Sequence, residues 1–107
     1  MMLDLVQKAE QYIQANLDRH ELSVGDVAHA VCMSERQFYR DLKACTGLTP
    51  YLYIQKLRLQ KAKSLALDKV VGSLEELTRA VGYCNVDHFI RLFRNTFGVH
   101  PKTLLDS

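Results

Sequence analysis

The sequence of 107 residues has little of several features that would place it in other protein classes. No apolar run approaches the roughly 18 residues that a membrane span requires, and no charged-then-apolar leader opens the chain. The three cysteines are an odd number without a Cys-x-x-Cys pair, which argues against a disulfide framework and against a zinc site. Only two prolines are present. We therefore expect one small cytoplasmic domain that makes no membrane contact.

The motifs that accompany catalysis are also missing from the sequence. It contains no His-Glu-x-x-His, no glycine-rich phosphate loop, no serine elbow and no cluster of carboxylates. The histidines are scattered over different segments, and the sequence places no base beside Cys84. We expect a protein that is not an enzyme and that uses no cofactor and no metal.

The charge of the chain is small overall but unevenly distributed. The net charge is +2, whereas residues 34–63 alone carry seven basic and two acidic side chains. Residues 1–33 and 64–87 are acidic on balance, and residues 88–107 are basic again. Two basic segments separated by acidic ones are typical of a protein that touches phosphate at two places, and an unevenly charged solvated surface explains them equally well.

Helical periodicity and helix-start signals recur along the chain, whereas strand signals are nearly absent. A first amphipathic helix is predicted over residues 3–17. Ser23, Ser34 and Ser73 each begin a capping box of the form Ser-x-x-Asp, Ser-x-x-Gln or Ser-x-x-Glu. The other predicted helix starts are Thr49-Pro50, for a long helix to about residue 68, and Asn85 and His100-Pro101.

One sequence motif occurs twice in the chain. Phe38, Leu42, Gly47 and Pro50 return fifty-one residues later as Phe89, Phe93, Gly98 and Pro101. The short helices in front match at an offset of fifty, so the second turn is one residue longer. Two helices joined by a tight turn are the helix-turn-helix signature.

We therefore predict an all-α fold of about seven helices with a duplicated, homeodomain-like architecture. The first helix-turn-helix unit is predicted over residues 1–48, the connector helix over 49–68 and the second unit over 69–107. A connector of roughly 27 Å could set the second helices of both units about 34 Å apart, which is one turn of B-DNA.

The second half of the chain contains a distinctive set of residues, namely Gly82-Tyr83, Phe89, Phe93-Arg94, Phe97-Gly98 and Pro101. With these residues and the connector "KLRLQKAKSL", the sequence resembles the DNA-binding domain of the AraC/XylS family of bacterial transcription regulators. The resemblance covers about residues 3–106. It implies transcription regulation, typically activation, by binding double-stranded promoter DNA, together with contact to RNA polymerase. It also implies a part of a longer regulator, and we expect the isolated domain to be a monomer.

The third predicted helix carries the first set of candidate base-reading residues. Because Phe38 and Leu42 must face the core, the opposite face is free to meet base edges. That face carries Arg36, Gln37, Tyr39 and Arg40. The resemblance places the family's base contacts on Arg36, Tyr39 and Arg40.

The sixth predicted helix carries the second set, on the face opposite Phe89 and Phe93. The resemblance implies base reading there by Val86, Asp87, His88 and Arg91. An acidic Asp87 could accept from cytosine N4, and Val86 could touch a thymine methyl group. The same two residues could equally mean that this unit binds weakly and adds little sequence information.

Phosphate contacts are expected from groups that flank the two reading helices. The candidates are Ser34, Lys43, Asn85, Arg94 and Lys102. Ser34 and Asn85 also serve as helix caps, a role that needs no DNA. The connector adds positive charge through Lys56, Arg58, Lys61 and Lys63, some of which must simply be solvated.

Two positions depart from the family pattern. Thr78 stands where the family usually has alanine, so its hydroxyl must bond a backbone carbonyl or find another partner. Cys32 occupies the turn position that Gly82 fills in the second copy, and it is strained if that position needs a positive φ.

The alternative function is a helical protein-interaction module that does not bind DNA. Such a module would expose an apolar groove. The outward faces of the third and sixth predicted helices are polar, which disfavours this alternative.

Overall fold

The computed structural model describes residues 2–107, and within them the chain forms seven α-helices and no strand. The helices are α1 (Met2–Ala15), α2 (Val24–Ala30), α3 (Glu35–Thr46), α4 (Pro50–Leu67), α5 (Leu74–Ala80), α6 (Val86–Phe97) and α7 (Pro101–Asp106). The predicted all-α fold is confirmed over this range. Residue 1, which the predicted first unit includes, lies outside the described residues. None of the helices in residues 2–107 combines the length and the hydropathy that a membrane crossing requires.

The predicted helix starts are confirmed by side chains that cap the first turns. Ser23 forms a complete capping box with Asp26, in which each side chain accepts from the other residue's backbone N–H at 3.1 Å. Ser34 Oγ accepts from Gln37 N at 3.2 Å, but the return bond of the capping box predicted there does not form. Thr49 Oγ1 accepts from Leu52 N at 3.2 Å. These bonds satisfy N–H groups that have no partner inside the helix.

The capping box predicted at Ser73 is wrong in its return half. Ser73 Oγ accepts from Glu76 N at 3.1 Å as expected. The Glu76 carboxylate, however, accepts from Gly72 N at 2.7 Å instead of from Ser73 N. Glutamate is one methylene longer than the aspartate in the Ser23 box, and it therefore reaches one residue further back.

The described chain separates into two compact units. Unit 1 contains residues 2–16 and Glu21–Leu57, and unit 2 contains Leu17–His20 and Arg58–Ser107. The helix α4 contributes residues 50–57 to unit 1 and 58–67 to unit 2.

Each unit has its own apolar core around its helix-turn-helix pair. In unit 1, α1 packs on α2 and α3, and the most buried side chains include Ala9, Ile13, Val27, Phe38 and Leu42. The core of unit 2 consists of Leu59, Ala62, Ala66, Leu77, Val81, Phe89 and Phe93. Its aromatic rings follow one another along α6, with centroids 5.8 Å apart for Phe89 and Phe93 and 4.7 Å apart for Phe93 and Phe97.

The helix-turn-helix turn of both units contains a residue in the left-handed backbone region. Cys32 has a φ of 60° and Gly82 a φ of 87°. The strain expected at Cys32 is confirmed, because a non-glycine residue with a Cβ is disfavoured there. The two positions differ in the space around them. Cys32 is exposed, whereas a Cβ at Gly82 would collide with the Arg58 guanidinium and the Leu17 carbonyl.

Thr78 and Lys69 illustrate how polar side chains bond to nearby backbone in unit 2. Thr78 is only 1% exposed, and its Oγ1 donates to the Leu74 carbonyl at 2.7 Å, so the expected back-bond is confirmed. Lys69, at a φ of 58°, extends its ammonium group to the end of α7. There Nζ donates to the carbonyls of Leu104 and Leu105, both at 3.1 Å.

Arg58 does not belong to the basic surface that the sequence attributes to the connector. Its side chain is buried, with 5% exposure, and the guanidinium donates to backbone carbonyls of unit 2. Sequence reasoning missed this role because helical periodicity places Arg58 between Leu57 and Leu59 without showing what lies opposite.

Replacing Cys32 by glycine should stabilise the protein. Glycine avoids the left-handed penalty of about 1–2 kcal/mol but loses about 0.5–1 kcal/mol of chain entropy, so we expect a gain of about 0.5–1 kcal/mol in the free energy of unfolding. Urea unfolding followed by circular dichroism measures it. The control is Ala44→Gly within α3, which should cost about 1 kcal/mol. A loss of stability in Cys32→Gly would contradict the strain argument.

Replacing Gly82 by alanine should destabilise the protein by roughly 3 kcal/mol. The added methyl group has to displace the buried guanidinium of Arg58, so overpacking and weakened hydrogen bonds act together. The matched change Cys32→Ala, at the open position of unit 1, should alter the free energy of unfolding by less than about 0.5 kcal/mol. A cost at Gly82 no larger than the left-handed backbone penalty of about 1–2 kcal/mol would show that backbone strain alone, and not the space at Gly82, decides the outcome.

Candidate nucleic-acid interface

The helix α3 presents the first set of candidate residues on an open surface. Ser34 caps its start, while Phe38 and Leu42 are fully buried and fix the orientation of the helix in unit 1. Arg36, Gln37 and Arg40 are exposed, and the Tyr39 side chain is 46% exposed. The structure thus brings these four residues onto the surface of the first two turns of α3.

The side chains of this α3 surface have few restraints within the protein. Arg40 Nε lies 3.4 Å from Asp41 Oδ1, and the Arg40 side chain is 73% exposed. An exposed ion pair of this kind is worth little in water, so the guanidinium is available to a stronger partner. Lys43 Nζ lies 5.8 Å from the centre of the Tyr39 ring, a cation–π contact one helical turn away.

The second set of candidate residues lies on α6, and its members differ in how exposed they are. Asn85 caps its start by accepting from His88 N at 2.9 Å, and Phe89 and Phe93 are buried in unit 2. Asp87 and Arg91 are exposed, whereas Val86 and His88 are half-buried. The His88 and Tyr83 rings pack in a T-shaped arrangement, with centroids 5.9 Å apart and an interplanar angle of 74°.

A shallow groove runs along the outer side of α6. It is lined by Asp87, Ile90, Arg91, Arg94, Asn95 and Gly98. The groove places one carboxylate among two guanidinium groups and an amide. Asn95 was missed in the sequence, although it follows Arg91 by one helical turn on the same face.

The candidate phosphate-binding residues are distributed over both units. Ser34 and Asn85 already accept a backbone N–H through a side-chain oxygen, and each keeps a donor, the hydroxyl proton or the amide NH₂. Lys43, Arg94 and Lys102 are exposed. Lys102 lies beside Glu75 and Asp106 in a separate groove, so the structure does not bring it into the α6 groove that holds Arg94.

Among residues 2–107, no group of histidine, cysteine and carboxylate side chains could hold a metal ion. Cys32, Cys45 and Cys84 are exposed thiols that take part in no disulfide. Burial raises the pKa of Tyr53, and the Glu10 charge raises it further, but Tyr53 is a core residue of unit 1.

The sequence has relatives among transcription activators. It matches the family described as a helix-turn-helix domain over residues 27–107. The transcriptional activator RhaS of Escherichia coli strain SE11 is 36% identical over 84 residues, which are 78% of this chain and 30% of that protein. RhaS of Escherichia fergusonii is 37% identical over 78 residues, 73% of this chain and 28% of that protein. The chain thus spans less than a third of the length of these curated relatives.

Solved structures share the fold over almost the whole chain. A transcriptional regulator of the AraC type from Chromobacterium violaceum superposes with a TM-score of 0.87 at 28% identity, covering 97% of this chain and 91% of that one. The C-terminal domain of AraT, a response regulator from Geobacillus stearothermophilus, has a TM-score of 0.84 at 27% identity, with 95% and 84% covered. The DNA-binding domain of AdpA, solved with a target DNA, has a TM-score of 0.83 at 22% identity, with 95% and 89% covered, and shares the fold.

Proposed function

The chain belongs to the AraC-type helix-turn-helix family and is a DNA-binding domain of a transcription regulator, and from this premise we propose that α3 and α6 are its two reading helices. In the proposed complex each helix enters a major groove of double-stranded promoter DNA. The observation that carries the proposal is the exposed, basic and aromatic surface of α3, held outward by the burial of Phe38 and Leu42.

On α3, Arg36, Tyr39 and Arg40 are the proposed base readers. A guanidinium donates two parallel hydrogen bonds to guanine O6 and N7, which is worth about 1–3 kcal/mol of discrimination. Gln37 is a further candidate, since an amide pairs in the same way with adenine. Ser34 and Lys43 are the proposed phosphate contacts, which fix the position of the helix without reading the sequence.

On α6, Arg91 and Asp87 are the proposed principal readers. Both are exposed in the α6 groove, and a carboxylate accepts from cytosine N4 while an arginine pairs with guanine. Val86 and His88 are half-buried, so their reach toward bases is shorter. Asn85, Arg94 and Lys102 are the proposed phosphate contacts of this unit.

The two reading helices are proposed to contact two successive major-groove segments of the duplex, about 10 bp apart. The support is that each unit contains a helix-turn-helix pair whose second helix has a buried and an exposed face.

The wider role rests on the premise of family membership and is proposed with it. The domain is expected to be the output part of a longer cytoplasmic regulator, to act without catalysis and to be a monomer in isolation. RhaS carries the name of a transcriptional activator, which supports activation through contact with RNA polymerase as the mode of action.

Selection of bound duplexes from a random DNA pool tests the reading helices. The chain is incubated with the pool at two salt concentrations, and the retained duplexes are sequenced. We expect a bipartite motif with halves about 10 bp apart, because both helices read bases. A single half-motif would limit α6 to holding phosphate. Absence of retention even at low salt would contradict DNA binding and favour the protein-interaction module.

Arg40→Ala and Lys43→Ala separate base reading from phosphate binding. Arg40→Ala should relax the preference at one base pair by about 1–3 kcal/mol. Lys43→Ala should weaken all sequences alike and reduce the slope of log K against log salt by about 0.9. Affinity is measured by fluorescence anisotropy, with Lys8→Ala on α1 as the control for loss of one exposed charge. Uniform weakening by both variants would contradict the assignment of Arg40 as a reader.

A further inference from the structure

Arg58 is a buried cation in unit 2 that the proposed function leaves without a role. Its guanidinium donates to the carbonyls of Leu17, Val81 and Arg19, the last two at 2.7 and 3.0 Å. Burial of a charged group is costly unless its donors are satisfied. Backbone carbonyls supply that satisfaction here, and they come from segments far apart in the sequence.

The position of these carbonyls adds an electrostatic reason for the cation. Val81 is the C-cap of α5, and Leu17 and Arg19 follow the end of α1. The last carbonyls of a helix lack partners within it and carry a partial negative charge, which a guanidinium stabilises. Arg58 therefore holds the end of α5, the first helix of the second helix-turn-helix pair.

The contacts of Arg58 continue from the end of α5 into the turn. The guanidinium occupies the space in which a Cβ of Gly82 would lie, with Arg58 Cζ 2.7 Å from that position. The same Cζ lies 5.8 Å from the centre of the Tyr83 ring. Two successive turn residues therefore rest on one buried side chain.

Tyr83, which contacts Arg58, also contacts two residues of α6. Its ring centroid lies 5.9 Å from that of His88 and 5.6 Å from that of Phe89. His88 belongs to the candidate reading set, and Phe89 is the buried anchor of the first turn of α6. The guanidinium is thus connected to the start of the reading helix through a single aromatic ring.

We propose that Arg58 is a positioning residue for DNA reading by α6. It fixes the turn from Gly82 through Tyr83 and thereby sets the orientation of the first turn of α6, without touching DNA itself. This proposal rests on the proposed function of α6. The turn of unit 1 is an internal comparison, because its left-handed residue, Cys32, is exposed, whereas Gly82 is buried against the Arg58 guanidinium.

The test compares Arg58→Met, Arg58→Lys and the wild-type chain in two measurements. Amide hydrogen exchange by NMR follows Phe89 N–H, bonded to Asn85 O at 3.0 Å, and Phe38 N–H, bonded to Ser34 O at 2.9 Å. The two amides occupy equivalent places in α6 and α3. The second measurement repeats the selection from a random DNA pool. Lys61→Met, which removes an exposed charge from the same helix, is the matched control.

In Arg58→Met, exchange at Phe89 should rise at least about tenfold, as expected for loss of a charged hydrogen bond, while Phe38 keeps its protection. The DNA half read by α6 should lose its base preference, and the half read by α3 should keep it. The salt slope should stay unchanged, because a buried guanidinium contacts no phosphate. Arg58→Lys, which retains the charge but not the fork of donors, should restore part of both signals.

Equal loss of protection at Phe38 and Phe89, with both halves of the motif weakened, would overturn the positioning role and make Arg58 a residue of general stability. An unchanged motif with unchanged exchange would overturn it as well. If Arg58→Met does not fold, Arg58→Lys decides between the same outcomes. A wild-type chain that selects no α6 half would instead contradict the proposed function, and the exchange ratio would still test the link from Arg58 to α6.

Discussion

A guanidinium can be buried only where its N–H groups meet acceptors, and Arg58 meets this requirement with three backbone carbonyls of unit 2. The arrangement is favourable in two ways, because the Val81 carbonyl at the C-cap of α5 would otherwise lack an intrahelical partner and because the partial charge of a carbonyl oxygen is negative. Much of unit 2 follows from this interaction. The segment after α1, the end of α5 and the turn that leads to α6 are all held by one side chain.

The same constraint explains why the two helix-turn-helix turns differ in sequence although their backbones agree. Both turns need a residue with positive φ, and either glycine or a strained cysteine can adopt it. At Gly82 the guanidinium also fills the space of a side chain, so glycine is required for steric reasons as well. At Cys32 the side chain points to an open surface, and the cost is confined to the backbone. The two turns therefore share a backbone conformation but differ in how their surroundings are packed.

The same pattern of buried side chains leaves one face of α3 and one face of α6 exposed, but the residues on the two faces differ. In both α3 and α6, two buried side chains four residues apart and a polar N-cap fix which face remains outside. On α3 this leaves two arginines, a glutamine and a tyrosine exposed. On α6 it leaves a mixed surface, where Asp87 lies in one groove with Arg91 and Arg94. The spacing of the buried side chains predicts which face is exposed. The residues on that face determine how strongly each unit can prefer one base sequence.

The sequence by itself determined the helices, their caps, the duplication and the outward faces, because helical periodicity and first-turn hydrogen bonds involve residues at most four positions apart. For Cys32 the repeat predicted strain only if the position needs a positive φ, and for Thr78 the sequence left a back-bond or another partner open; the structure decided both. Only the tertiary structure showed that Arg58 is buried and that Lys69 bonds to the end of α7. Their acceptors lie 23 to 41 residues away in the chain. Local periodicity carries no information about such partners, and packing alone decides which long basic side chains reach backbone carbonyls and which stay in water.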